Sequence, residues 1–326
     1  MKKYLYSASL LAAFVSMLLV PARPAEAHGF LHGDSPYRFG ISMYIARPLR
    51  VGVTLPVYES WLHNIVFERS EILSFSRADL EPKDDAAWQA TLDKLRAVDL
   101  FVVCEHPDDE YIDALLTKAD MMYQVPLIYA DLGAAPLVHA FDVPEGRVTP
   151  RPFLALTSAA QQMFTMSNAL ARMDPANNLD IRRNVSAYTA TLSEAKRKLV
   201  QSVAHWSGEE LYVLSLEGGY EYLLEEVGLT PLPPPADAEA LFDNPAGLKA
   251  LADTHAIDIV TTTRPVDDAA AKAVREACGA ELIQLDPIAM VDGTANSFGA
   301  YWQRNLEHLL ALRTRLLEAR HPGGKP

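Results

Sequence analysis

Cysteine is scarce. Two residues in 326, Cys104 and Cys278, cannot build a disulfide scaffold, and their spacing does not say whether they pair. Neither follows the N-terminal apolar run, so the sequence offers no thiol for a lipoprotein anchor. Positive charge is also short. Lys and Arg number 29 against 42 Asp and Glu, a formal net charge of −13, which argues against a nucleic-acid partner and favours cations. The chain contains no Gly-rich phosphate loop, no HExxH pair and no nucleophile elbow, so it is not read as an enzyme. Internal repeats and low-complexity segments are missing too.

What is present begins with an export signal. Lys2 and Lys3 give a positive start, and Leu10–Val20 is an apolar run too short to span a bilayer. Ala25-Glu26-Ala27 supplies a small-x-small cleavage site, so residues 1–27 read as a signal peptide cut after Ala27. Its removal leaves the mature chain near −15, by subtracting the net +2 of Lys2, Lys3, Arg23 and Glu26. The expected location is the periplasm. Residues 28–46 form a leader in which His28 becomes the free terminus. An N-terminal amine, its imidazole and His32 together suit copper.

Further on, short apolar strands alternate with amphipathic helices, which predicts α/β architecture with mostly parallel sheets. Strands are expected at 49–55, 70–76, 99–104 and 126–129, and again at 210–216, 257–261 and 281–285. Residues 232–236 read as a Pro-rich loop. Between the two strand-rich halves, Ile181, Val185, Tyr188, Leu192, Ala195 and Leu199 recur at spacings of three and four. That draws one apolar stripe along a long helix, with Asp174-Pro175 at its start. The expected organisation is two lobes, 47–173 and 206–320, joined by a spine helix within 174–205, with 321–326 as a tail.

In open α/β sheets, ligands bind beyond the carboxyl ends of strands. Those ends carry Asp79, Glu81 and Lys83; His106, Asp108 and Asp109; Glu217; and Asp286, with Arg151 in the link before the spine. His106-Pro-Asp108 offers an imidazole beside a carboxylate, a pairing suited to a transition metal. Asp108-Asp109-Glu110 also reads as a solvated helix start.

Several segments resemble the zinc/manganese solute-binding proteins of ABC transporters. They are LARMDP (170–175) followed by Asn184-x-x-x-Tyr188-x-x-x-Leu192, the stretch 80–103, RPFLALTSAAQQM (151–163), LSLEGGYEYLLEEVGL (214–229), and 258–288 with YWQRNLEHLLAL (301–312). The resemblance implies a two-lobed periplasmic receptor that holds zinc or manganese between its lobes as a monomer and passes it to an ABC permease. It places the four metal-ligand positions at Lys83, Arg151, Glu217 and Asp286. Glu217 and Asp286 suit a metal. Lys83 and Arg151 do not, because their protonated side chains have no lone pair to give. Three readings therefore stand: a divalent metal held by Glu217 and Asp286 with His106 and Asp108; an anionic ligand or metal chelate held through Lys83 and Arg151, with Arg264 nearby; and a metallochaperone binding copper at His28 and His32. Expression with export in a bacterial host should yield a chain that begins at His28. Intact-mass spectrometry checks this, and a secreted chain retaining Met1 contradicts it.

Overall fold

Strands β1 (Leu49–Val53), β2 (Ser70–Ser74), β3 (Leu100–Val103) and β4 (Leu127–Tyr129) form a parallel sheet in the order β2-β1-β3-β4. Strands β5 (Tyr212–Ser215), β6 (Thr230–Leu232), β7 (Ile259–Thr262) and β8 (Glu281–Gln284) repeat that order as β6-β5-β7-β8, again parallel. The computed structural model describes residues 47–66, 70–104, 109, 111–132, 151–201, 209–233, 235 and 238–321, all within one compact unit. The signal, the leader, His106 and Asp108 lie outside the described residues.

The inner strands β3 and β7 are buried at every residue, as expected where helices cover both faces of a parallel sheet. Their side chains alternate between two cores. In β3, Leu100 and Val102 face a central core while Phe101 and Val103 face an outer one; in β7, Ile259 faces the centre and Val260 the outside. The central core draws on both sheets and on helices α1 (Pro56–Val66), α5 (Leu156–Met173), α6 (Asn178–Gln201), α7 (Glu221–Glu226) and α10 (Ser297–Arg320). Outer helices α3 (Asp85–Ala97) and α4 (Tyr111–Lys118) serve the first sheet; α8 (Pro245–Ala252) and α9 (Asp268–Cys278) serve the second. The remaining helix, α2 (Arg77–Leu80), is a single turn.

The spine is α6, which follows α5 through a tight turn at Pro175–Asn177. Its 24 residues span about 36 Å at ~1.5 Å per residue. Ile181, Val185, Thr189 and Leu192 are buried, whereas Leu179 at its start is 83% exposed. The spine is not the sole connection. Phe298 at the start of α10 meets the Trp61 ring of α1 edge-on, with centroids 5.2 Å apart. Ser60 Oγ donates to Ala295 O (3.3 Å) and accepts from Phe298 N (3.2 Å), and Asn184 of α6 donates to Ile65 O (3.0 Å). Helix α1 is thus gripped from two sides, by α10 and the segment before it from the opposite half and by the spine α6. Among the described residues, no helix is long and apolar enough to cross a membrane.

Three details depart from the sequence reading. Strand β6 begins before the Pro-rich loop and contains Pro231, opposite Val213; a missing N–H is tolerable because β6 is an edge strand. The loop after β2 includes α2, closed by a reciprocal cap in which Asp79 Oδ2 accepts from Ser76 N (2.8 Å) and Ser76 Oγ (3.1 Å). Asp109 is not solvated. It is 1% exposed, and its Oδ2 accepts from Cys104 N (2.8 Å), which ties the end of β3 to the start of α4. Cys104 and Cys278 form no disulfide; one lies in each half.

Gly52 in β1 has no room for a methyl group, because an added Cβ would run into the Phe101 ring. Gly52→Ala should cost about 1–3 kcal/mol through overpacking, read as a lowered Tm by calorimetry. Asp109 makes a second prediction. Burial is the main cause that pushes its pKa above the ordinary 3.8, while the neighbouring Thr54 hydroxyl and the Cys104 N–H pull it back. A carboxyl raised in the folded state stabilises most below its unfolded pKa, and that contribution is lost as pH rises through the folded value. Asp109→Asn should therefore gain stability relative to the parent as pH climbs above about 4, measured by urea unfolding across pH. A pH-independent difference contradicts this.

Candidate functional site

In the second sheet the chain order reverses between β5 and β7, and the crevice at their carboxyl ends is the expected place for a ligand. Glu217 spans that crevice from the β5 side. Its Oε1 accepts from Thr262 Oγ1 (2.9 Å), Thr263 N (3.1 Å) and Thr263 Oγ1 (3.3 Å) on the β7 side. Its other oxygen, Oε2, is buried and has no hydrogen-bond partner among the described residues. Ser215 Oγ donates to Glu217 O (2.7 Å), which fixes the turn leading into Gly218-Gly219.

Arg151 reaches the same turn from the other half of the chain. Its Nη1 donates to Gly218 O (3.2 Å), and its guanidinium carbon lies 6.0 Å from the centre of the Tyr220 ring. The Arg151 backbone is left-handed, with φ 70°, immediately before Pro152. A residue with a Cβ pays about 1–2 kcal/mol in that region, so the surrounding contacts must hold it there. Tyr220 passes the network on. Its hydroxyl donates to Asp286 O (3.3 Å) and accepts from Ile288 N (3.0 Å). Helix α10 holds Asp286 from below: Asn305 Oδ1 accepts from Asp286 N (2.8 Å), and Arg304 Nε donates to Asp286 Oδ2 (2.7 Å). Arg304 is about half exposed, so that ion pair is solvent-screened and its contribution is small.

Arg151, Glu217 and Asp286 are therefore brought together through Gly218 and Tyr220. Lys83 stands exposed just before Asp84, the N-cap of α3, whose Oδ1 accepts from Ala87 N (2.8 Å). Arg264 follows the Thr262-Thr263 pair, but its guanidinium lies over the Phe242 ring (4.0 Å) and pairs with Asp243 (2.7 Å). His106, Asp108, His28 and His32 are outside the described residues. Among the described residues, no three His, Cys, Asp or Glu side chains converge as a metal-holding group.

Several ionisable groups around the crevice are buried. Burial pushes the Tyr301 hydroxyl well above its ordinary value, aided by Tyr220, and Arg151 opposes the shift. Glu221 is fully buried and accepts from Gly219 N (2.7 Å); burial raises its pKa, while backbone N–H groups and Arg151 pull it down. Sequence reasoning missed Thr262, Thr263, Tyr220, Tyr301 and Asn305. The threonines had a usable signal, as hydroxyl residues at the carboxyl end of a buried strand. Tyr301 and Asn305 come from a helix face and Tyr220 from the turn before α7, placements that only tertiary contact reveals.

A family model described as zinc-uptake complex component A, periplasmic, matches residues 51–311. A comparison with curated proteins returns no match. Among solved structures, a mutant of FpvC from Pseudomonas aeruginosa is 22% identical, with a TM-score of 0.67, covering 82% of this chain and 100% of that one. FpvC from the same organism in complex with Ni2+ is 21% identical, with a TM-score of 0.65 over 86% of this chain and 100% of that one. A mutant Mn-bound periplasmic metal-binding protein from Candidatus Liberibacter asiaticus is 17% identical, with a TM-score of 0.60 over 81% and 99%. At these identities the solved structures speak for the fold. The family model spans most of the chain, and the protein belongs to the periplasmic zinc-uptake component A family, whose members are solute-binding transport components and not enzymes.

Proposed function

We propose that this protein is the periplasmic receptor of a metal-uptake ABC transporter. It is exported by residues 1–27, captures a divalent transition metal of the zinc or manganese class between its two halves, and delivers it to a membrane permease. The single observation that carries the reading is Glu217 Oε2, a buried carboxylate oxygen without a hydrogen-bond partner among the described residues, at the crevice where a ligand is expected. A cation satisfies such an oxygen. Asp286 is the second carboxylate of the set, linked to Glu217 through the Tyr220 turn. His106 and Asp108 follow β3 of the first sheet and are the proposed first-half ligands. Imidazole from His106 would turn a weak two-carboxylate site into one suited to zinc or manganese.

Arg151 favours a second reading. A guanidinium in the same crevice suits a metal that arrives with anionic ligands of its own, since its fork matches carboxylate and phosphate. Isothermal titration of untagged mature protein separates the two. Free Zn2+ or Mn2+ should bind near one per chain, and Glu217→Gln should weaken that binding on the order of tenfold or more. No response to free ions, with binding of a metal–citrate complex that Arg151→Ala abolishes, replaces the first reading by the second. Binding of Cu2+ that disappears on deleting residues 28–33 and survives Glu217→Gln points to the leader instead.

A further inference from the structure

We infer that Glu226 is a positioning residue for the cargo crevice: it holds the Arg151 turn and the Glu217 turn in fixed register from the far side. This rests on the reading of that crevice as the cargo site.

Glu226 is the last residue of α7, where the helix dipole disfavours a negative charge. Other elements recover that cost. Helix α5 begins at Leu156 after Ala155, which has no side chain able to cap it. Glu226 Oε1 supplies the missing acceptor from a distance of 70 residues, taking a hydrogen bond from Leu156 N (2.8 Å). Its Oε2 pairs with Lys196, which projects from the spine helix α6. The Glu226 side chain is only 7% exposed, so solvent screens this arrangement little. One carboxylate thus ties the start of α5, the last third of the spine and the end of α7.

The consequence is geometric. Segments 151–156 and 218–226 lie side by side and are bridged at both ends. Arg151 to Gly218 closes the end at the crevice, and Leu156 to Glu226 closes the other. Between them, Trp302 Nε1 donates to Leu154 O (3.1 Å) and pins the turn to α10. Helix α7 is six residues long, too short to be stable alone, so its position follows its anchored ends. Freeing Glu226 lets α7 and the Arg151 turn shift together, and Glu217 and Tyr220 move with them.

The test uses full-length mature protein and compares Glu226→Gln, Lys196→Met, the double variant, and Glu225→Gln as a control at the exposed neighbouring position. Affinity for Zn2+ and Mn2+ is titrated at a temperature where calorimetry shows every variant fully folded. Glu226→Gln keeps an acceptor for Leu156 N and loses the charge that pairs with Lys196. It and Lys196→Met should each weaken metal affinity on the order of tenfold, with the double variant no worse than either and Glu225→Gln unchanged. The Trp302 indole signal of the metal-free protein should shift in the same variants. A lowered Tm with unchanged affinity and an unmoved Trp302 signal makes Glu226 a purely structural brace and overturns the inference. If the parent binds no metal, the cargo reading fails by itself, and the Trp302 signal decides for or against the positioning role.

Discussion

Both sheets bury their inner faces in one apolar core. Val51, Val53, Leu100 and Val102 from the first sheet share it with Val213 and Ile259 from the second, across a layer formed by α1, α5, α6, α7 and α10. Each fully buried large aliphatic or aromatic side chain there contributes roughly 1.5–3 kcal/mol. Swinging the halves far apart would expose that layer. The Trp61–Phe298 contact and the Ser60 hydrogen bonds add a second seam beside the spine. The two halves are better described as two sheets built on common foundations than as independent bodies on a rod.

Such rigidity gives the crevice its character. Its polar groups are held from behind: Asp286 by the buried Asn305, Tyr220 by the Asp286 and Ile288 backbone, and Glu217 by the paired threonines. The position of each of these groups follows from its supports rather than from rotation of a free side chain. The left-handed backbone of Arg151 belongs to the same pattern, since it persists only because neighbouring contacts fix it.

The architecture was legible because parallel sheets covered on both sides leave apolar runs such as Leu100–Val103 and Ile259–Thr262, and because one stripe of Ile181, Val185 and Leu192 marks the spine. Glu217 and Asp286 were legible as polar residues at strand ends. Their neighbours were not. Tyr220, Tyr301 and Asn305 look like ordinary helix residues until α10 folds under β8. Asp109 shows the opposite limit: an acidic run reads as solvated, yet one carboxylate turns inward because the Cys104 N–H needs an acceptor at the end of a buried strand. Pro231 hid β6 for a similar reason, since proline normally argues against a strand and is admissible here only at the rim.

That proline has a bearing on the company the protein keeps. The second sheet ends at β6 with one amide donor missing from its border. A foreign strand seeking to extend the sheet finds an interrupted template there. An unreceptive border is a safeguard against clumping, built in by a single ring.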